Sequence, residues 1–82
     1  MTRVKIEVLG TGCTKCTQLA ENAGEAIAKL ELDAELLKVQ DIMEIAGRGV
    51  LVTPALAIDG VVKSSGRLLT ADEIVGLLQA EG

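Results

Sequence analysis

The spacing of the apolar residues changes at one place near the start of the chain, and that change restricts the fold more than any other feature. Val4, Ile6 and Val8 alternate with charged Lys5 and Glu7, and Arg3 falls in the same charged row. This two-residue period predicts a strand over about residues 3 to 9. Gly10-Thr11-Gly12 breaks it. Beyond the break Cys16, Leu19, Ala20, Ala23, Ile27 and Leu30 recur at steps of three and four, one face of a helix from about 13 to 31. Gly24 inside that helix costs roughly 1 kcal/mol against alanine, which the otherwise continuous face tolerates. Cys13 and Cys16 therefore open a helix that follows directly on a strand.

The remaining elements alternate in the same way. Ala34 to Val39 reads as a second strand, and Asp41 with Glu44 three residues on has the capping-box pattern of a short helix ending near Gly47. Val50-Leu51-Val52 leads into Thr53-Pro54. Ala55 to Ile58, the Asp59-Gly60 pair and Val61 to Lys63 predict a β-hairpin, because Asp-Gly supplies the positive φ angles of a type I′ turn. Thr70 with Glu73 caps a last helix whose Ile74, Leu77 and Leu78 share a face. The order is β-α-β-α-β-β-α. With no linker, low-complexity segment or repeat, residues 1–82 are expected to form a single domain.

Composition decides what the two cysteines are for. The chain is 49% apolar yet has no aromatic residue, so its core must be built from Leu, Ile, Val, Ala and two Met. Domains this small commonly need a staple, but closing a loop between cysteines three positions apart restricts the unfolded chain by only about 2 kcal/mol. The pair points to chemistry more than to scaffolding. A net charge of -4 with scattered basic residues argues against a nucleic-acid partner. No 18-residue apolar stretch exists to span a membrane, and the opening strand pattern is unlike a secretory signal peptide, so a cytoplasmic location is expected. In that reducing compartment Cys-x-x-Cys is read as redox-active or metal-binding.

A thiol at a helix N-terminus meets free backbone N–H groups and the positive end of the helix dipole, both of which stabilise a thiolate. Lowering a thiol from about 8.5 to about 7 takes it from a few per cent to roughly half ionised at neutral pH. Cys13 is the expected nucleophile, with Lys15 adding to the shift. Cys16, one turn deeper on the apolar face, is the expected resolving thiol that attacks the mixed disulfide formed at Cys13. Three other readings compete with this one. Cys16 alone would serve as a small core residue. Structural zinc needs four ligands, and with no histidine and no third cysteine the others must be carboxylates or come from another chain. Two thiolates also suit Cu(I), as in small metal chaperones, but those domains run β-α-β-β-α-β and usually carry Met where this chain has Thr11.

Gly10-Thr11-Gly12-Cys13-Thr14-Lys15-Cys16 after a strand, Val52-Thr53-Pro54-Ala55 before a hairpin, and Gly66 beyond it resemble the small thioredoxin-like redox-active disulfide proteins over nearly the whole chain. The resemblance implies a thioredoxin-like three-layer α/β/α fold with a four-stranded mixed sheet in the order 2-1-3-4. It also implies a cis Pro54 beside Cys13, with Gly12, Thr53 and Pro54 forming the edge that docks an incoming disulfide peptide. Tryptophan and the Gly-Pro between the cysteines of typical thioredoxins are absent, as is the aromatic of glutaredoxin Cys-Pro-Tyr-Cys. The implied function is that of a thiol-disulfide oxidoreductase or electron carrier exchanging a Cys13–Cys16 disulfide, without a bound cofactor or metal. The implied partners are protein disulfides or dithiols and a protein reductase, met by a monomer. The alternative is a soft-metal (copper or zinc) binding or chaperone module using the same thiolates, and a third class is a redox-inert interaction domain.

Glu7 stands six residues before Cys13, where many thioredoxins carry a carboxylate beneath the second cysteine. Buried without a cation, it would have a raised pKa and serve as a proton relay for Cys16. The competing and favoured expectation places Glu7 with Arg3 and Lys5 on a solvated face.

Overall fold

The computed structural model describes residues 4–12 and 14–81, so Cys13 and Arg3 lie outside the described residues. Seven elements follow the expected order: β1 (Val4–Leu9), α1 (Thr14–Leu30), β2 (Ala34–Val39), α2 (Ile42–Gly47), β3 (Ala55–Ile58), β4 (Val61–Ser65) and α3 (Ala71–Glu81). The sheet order is β2-β1-β3-β4. β1 pairs in parallel with β2, Val4 opposite Ala34 through Leu9 opposite Val39, and antiparallel with β3, Ile6 opposite Ile58 through Leu9 opposite Ala55. The mixed sheet is therefore the one the sequence resemblance implies.

Because β1 is an interior strand, its alternating side chains enter two different layers. Ile6 and Val8 pack with Leu19, Ala20, Ala23 and Ala26 of α1 and with Ile74 and Leu78 of α3. Leu9 packs with Val39, Ile45, Val50, Ala55 and Ala57 beneath α2 on the opposite face. The hydrophobic cluster on each face is built from aliphatic side chains.

The helices end as their sequences direct, with one exception. At α3 the capping box is complete: Glu73 N–H donates to Thr70 Oγ1 at 3.2 Å, and Thr70 N–H donates to Glu73 Oε1 at 3.1 Å. At α2 the Asp41 carboxylate accepts from Met43 N–H at 2.9 Å, while Glu44 turns to Arg48 at 3.7 Å. The exception is the end of α1, expected near residue 31. There Glu31 takes a left-handed φ of 49°, Glu31 N–H bonds Ala28 O at 3.2 Å, and Leu32 N–H bonds Ile27 O at 3.1 Å. These two bonds are the pair of a Schellman ending, a place where glycine is usual. The Asp59-Gly60 turn has positive φ at both residues, 51° and 85°, as a type I′ hairpin requires. β4 runs two residues past the expected Lys63, and a bulge between Leu56 and Ala57 leaves Lys63 outside the pairing. A bulge on an edge strand discourages further strand addition there.

Candidate functional site at the start of α1

The site is built on the segment where the apolar period changes. β1 delivers the chain to Gly10, whose N–H donates to Val39 O at 2.9 Å and so extends the β1–β2 ladder by one bond. Gly12 then takes a φ of 89°, a left-handed conformation that glycine adopts without penalty, and α1 begins at Thr14. Cys16 is 5% exposed and lies on the face of α1 that also buries Leu19, Ala20 and Ala23. Thr14, Lys15 and Thr17 around it are exposed. A cavity of about 20 Å³, large enough for one water molecule, opens beside Cys16 and is lined by Val8, Gly10, Gly12, Thr17, Lys38 and Gln40.

The second half of the site comes from the approach to β3. The Thr53–Pro54 peptide bond is cis. Pro54 is fully buried and Thr53 is exposed, so the chain presents Thr53 at the surface immediately before it enters the core. Gly66 N–H donates to Pro54 O at 2.8 Å. At Gly66 φ is 75°, and a Cβ would stand 2.8 Å from Val52 Cγ1, so this contact requires glycine for both backbone and space. Thr53 and Cys16 meet at Gly10. A Cβ built on Gly10 would collide with the Cys16 sulfur and lie 3.8 Å from Thr53 Cβ. Of the residues expected at the site, the structure thus brings Gly12, Cys16, Thr53 and Pro54 to the β1–α1 end of the sheet. Cys13 lies outside the described residues.

Glu7 departs from both expectations. It is 3% exposed, not solvated, because β1 is covered on each face and Glu7 opposes Ala57 in the layer beneath α2. Nor is it buried without a cation. Arg48, at the C-terminal end of α2, reaches back over the sheet and donates Nη1 to Oε1 at 2.9 Å and Nη2 to Oε2 at 2.7 Å. This two-pronged hydrogen bond holds the carboxyl below its ordinary value against the opposing effect of burial, and raises the guanidinium in turn. Glu7 also points to the α2 face, whereas Val8, which lines the Cys16 cavity, points to the α1 face. In sequence Gly10 figures as a strand breaker and as part of the Cys-x-x-Cys motif, with no role of its own, and Arg48 has none.

Among the described residues no group of three or more Cys, His, Asp or Glu is arranged to hold a metal ion, and no helix is long and apolar enough to cross a membrane.

A parallel strand–helix–strand unit continued by a cis-proline entry into an antiparallel hairpin and a closing helix defines the thioredoxin-like fold. A solved structure titled "Structure of a malarial protein" shares it, with a TM-score of 0.74, covering 96% of this chain and 97% of that one at 13% identity. Sequence comparison is more specific. A thioredoxin of Methanothermobacter thermautotrophicus is 40% identical over 75 residues, 92% of this chain and 97% of the relative. A thioredoxin of Methanocaldococcus jannaschii is 45% identical over 71 residues, 87% of this chain and 81% of the relative. The thioredoxin domain family matches residues 4–79, and the chain belongs to that family.

Proposed function

We propose that the chain is a thiol-disulfide oxidoreductase that exchanges a Cys13–Cys16 disulfide with partner proteins in the cytoplasm, working as a monomer and without a bound cofactor. The observation that carries this reading is the placement of Cys16. A buried sulfur one turn into α1, seated against Gly10 and next to the exposed Thr53, suits a resolving thiol shielded from solvent until a partner is attached.

The cycle balances as follows. The Cys13 thiolate attacks one sulfur of a partner disulfide, forming a Cys13–partner bond and releasing the other partner sulfur as a thiolate. Cys16 loses its proton to solvent and attacks the Cys13 sulfur. The Cys13–Cys16 bond forms, the partner leaves as its second thiolate, and two electrons have passed to it. A protein reductase returns the pair to the dithiol. Gly12, Thr53 and Pro54 line the edge where the partner docks, Thr53 offering backbone groups at the surface. Glu7 is assigned no proton-transfer role, since its carboxylate is committed to Arg48 on the other face of the sheet.

Alkylation and trapping test the assignment. Cys13 is expected to alkylate near neutral pH well before Cys16, and Cys16→Ser is expected to accumulate a mixed disulfide through Cys13 that the parent does not retain. Equal alkylation rates, or trapping through Cys16 alone, would overturn it.

A further inference from the structure

Gly10 and Gly12 flank the same turn, but they are glycines for different reasons. Gly12 has a φ of 89°, and among the described residues beyond its chain neighbours a Cβ there would meet only Gln40 Nε2, at an ordinary 3.7 Å. Its backbone needs glycine while its surroundings have room. Gly10 is the reverse. Its φ lies outside the left-handed region, so its backbone suits any residue, yet a Cβ there would collide with Cys16 Sγ and stand 3.1 Å from Cys16 Cβ. Among the described residues, the nearest atoms such a Cβ would meet are the sulfur and Cβ of Cys16, with Thr53 Cβ at an ordinary 3.8 Å.

We infer that Gly10 is a positioning residue for the exchange reaction: the space left by its absent side chain is the seat of the Cys16 sulfur. The inference rests on the thiol-disulfide reading for its functional consequence, while the seat itself is a matter of geometry. Cysteine has one side-chain torsion, and in a helix one of its three staggered positions is disfavoured by the preceding turn. A methyl group at Gly10 therefore leaves Cys16 little choice but to rotate its sulfur away from the loop that precedes Cys13, or to push α1 outward. Either response moves the attacking atom, and a displacement of about 1 Å can cost on the order of 100-fold in a reaction that depends on alignment. The collision falls on the sulfur of Cys16, the thiol of the second step.

The test separates the two thiol steps and keeps the geometry independent of them. A small aromatic disulfide reagent releases one coloured thiolate when Cys13 attacks it and a second when Cys16 displaces the remainder. In Gly10→Ala the first release is expected at the parental rate and the second at least tenfold slower. An unchanged second release, or equal slowing of both, would overturn the positioning role, since a general disturbance of the fold has no reason to spare the first step. In parallel, the alanine is introduced into Cys16→Ala, which lacks the sulfur. Gly10→Ala is expected to lower the thermal midpoint in the parent and to lower it clearly less in the Cys16→Ala background. Equal drops would mean that the sulfur is not what occupies the space. If the parent itself shows neither release, the exchange reading fails, and the stability comparison still decides the seat.

Discussion

The two faces of the sheet are closed by different means. On one, α1 and α3 lay long apolar stripes over Ile6, Val8, Leu56 and Ile58, and among the described residues no charged side chain is buried there. On the other, α2 has six residues and buries only Ile45. A helix of one and a half turns cannot cover an interior strand with hydrocarbon alone. Glu7 and Arg48 complete that layer, the carboxylate beneath and the guanidinium, 26% exposed, forming part of the lid. The same strand thus tolerates an apolar solution on one side and an ionic one on the other, provided that the ion is paired in full. A buried carboxylate without Arg48 would lose more in desolvation than the thin layer returns.

Truncating one large residue on each face tests how differently the two layers are packed. Leu19, completely buried between α1 and the sheet, has long helices around it that cannot easily collapse into the gap, and Leu19→Ala is expected to cost about 3–4 kcal/mol. Ile45→Ala removes a similar volume beneath α2, a short element free to settle, and is expected to cost about 2 kcal/mol. Urea unfolding measures both. Equal losses would mean that the thin face is as rigidly packed as the thick one.

Glu7→Gln sharpens the ionic half. It preserves size and removes charge, leaving Arg48 with Glu44 at 3.7 Å and solvent, so the expected loss near neutral pH is about 2 kcal/mol, below that for a fully enclosed pair. The pH dependence carries more information. Since Arg48 holds the Glu7 carboxyl below its ordinary 4.5, the pair contributes its full stability above that value and loses it as pH falls towards the lowered folded pKa. Parent and Glu7→Gln should therefore converge in stability on the acid side of pH 4.5 and stand furthest apart at neutrality. Glu73, whose carboxyl the Thr70 backbone N–H lowers, is present in both proteins and cancels in the difference. Parallel curves would show that the pair contributes nothing through its charge.

How much of this was legible in the sequence follows from what periodicity can and cannot encode. Element order, sheet order and the hairpin turn were readable, the first from spacing, the second from resemblance and the third from Asp59-Gly60. Each depends on local patterns or on a motif spread along the chain. Glu7 was misread because a period of two distinguishes the faces of a strand but not whether both are covered. Lys5 beside it is indeed exposed, so the row of charges ends inside the protein. Arg48 is 41 positions from its partner, a separation that no local pattern spans. At the site, Gly12, Cys16, Thr53 and Pro54 were legible as motif residues. Gly10 stands in the same motif, but its packing role was not legible, because a glycine needed for the space above it looks in sequence like any glycine that ends a strand.

The smallest expected effect concerns a flaw on the well-packed side. α1 carries much of the thick face, yet it ends with Glu31 at a φ of 49°, in a Schellman geometry that a β-carbon makes unfavourable by roughly 1 kcal/mol. The negative charge at that position also opposes the helix dipole, so two causes lie behind one flaw. Glu31→Gly relieves both and is expected to gain about 0.5–1 kcal/mol even after the greater freedom of glycine in the unfolded chain, a rise of about 3–5 °C in the thermal midpoint. Glu31→Ala separates the causes, because it removes the charge and keeps the β-carbon. If backbone conformation dominates, alanine stays near the parent and only glycine gains. If alanine gains as much as glycine, the charge is responsible, and the left-handed turn at the end of α1 costs the protein little.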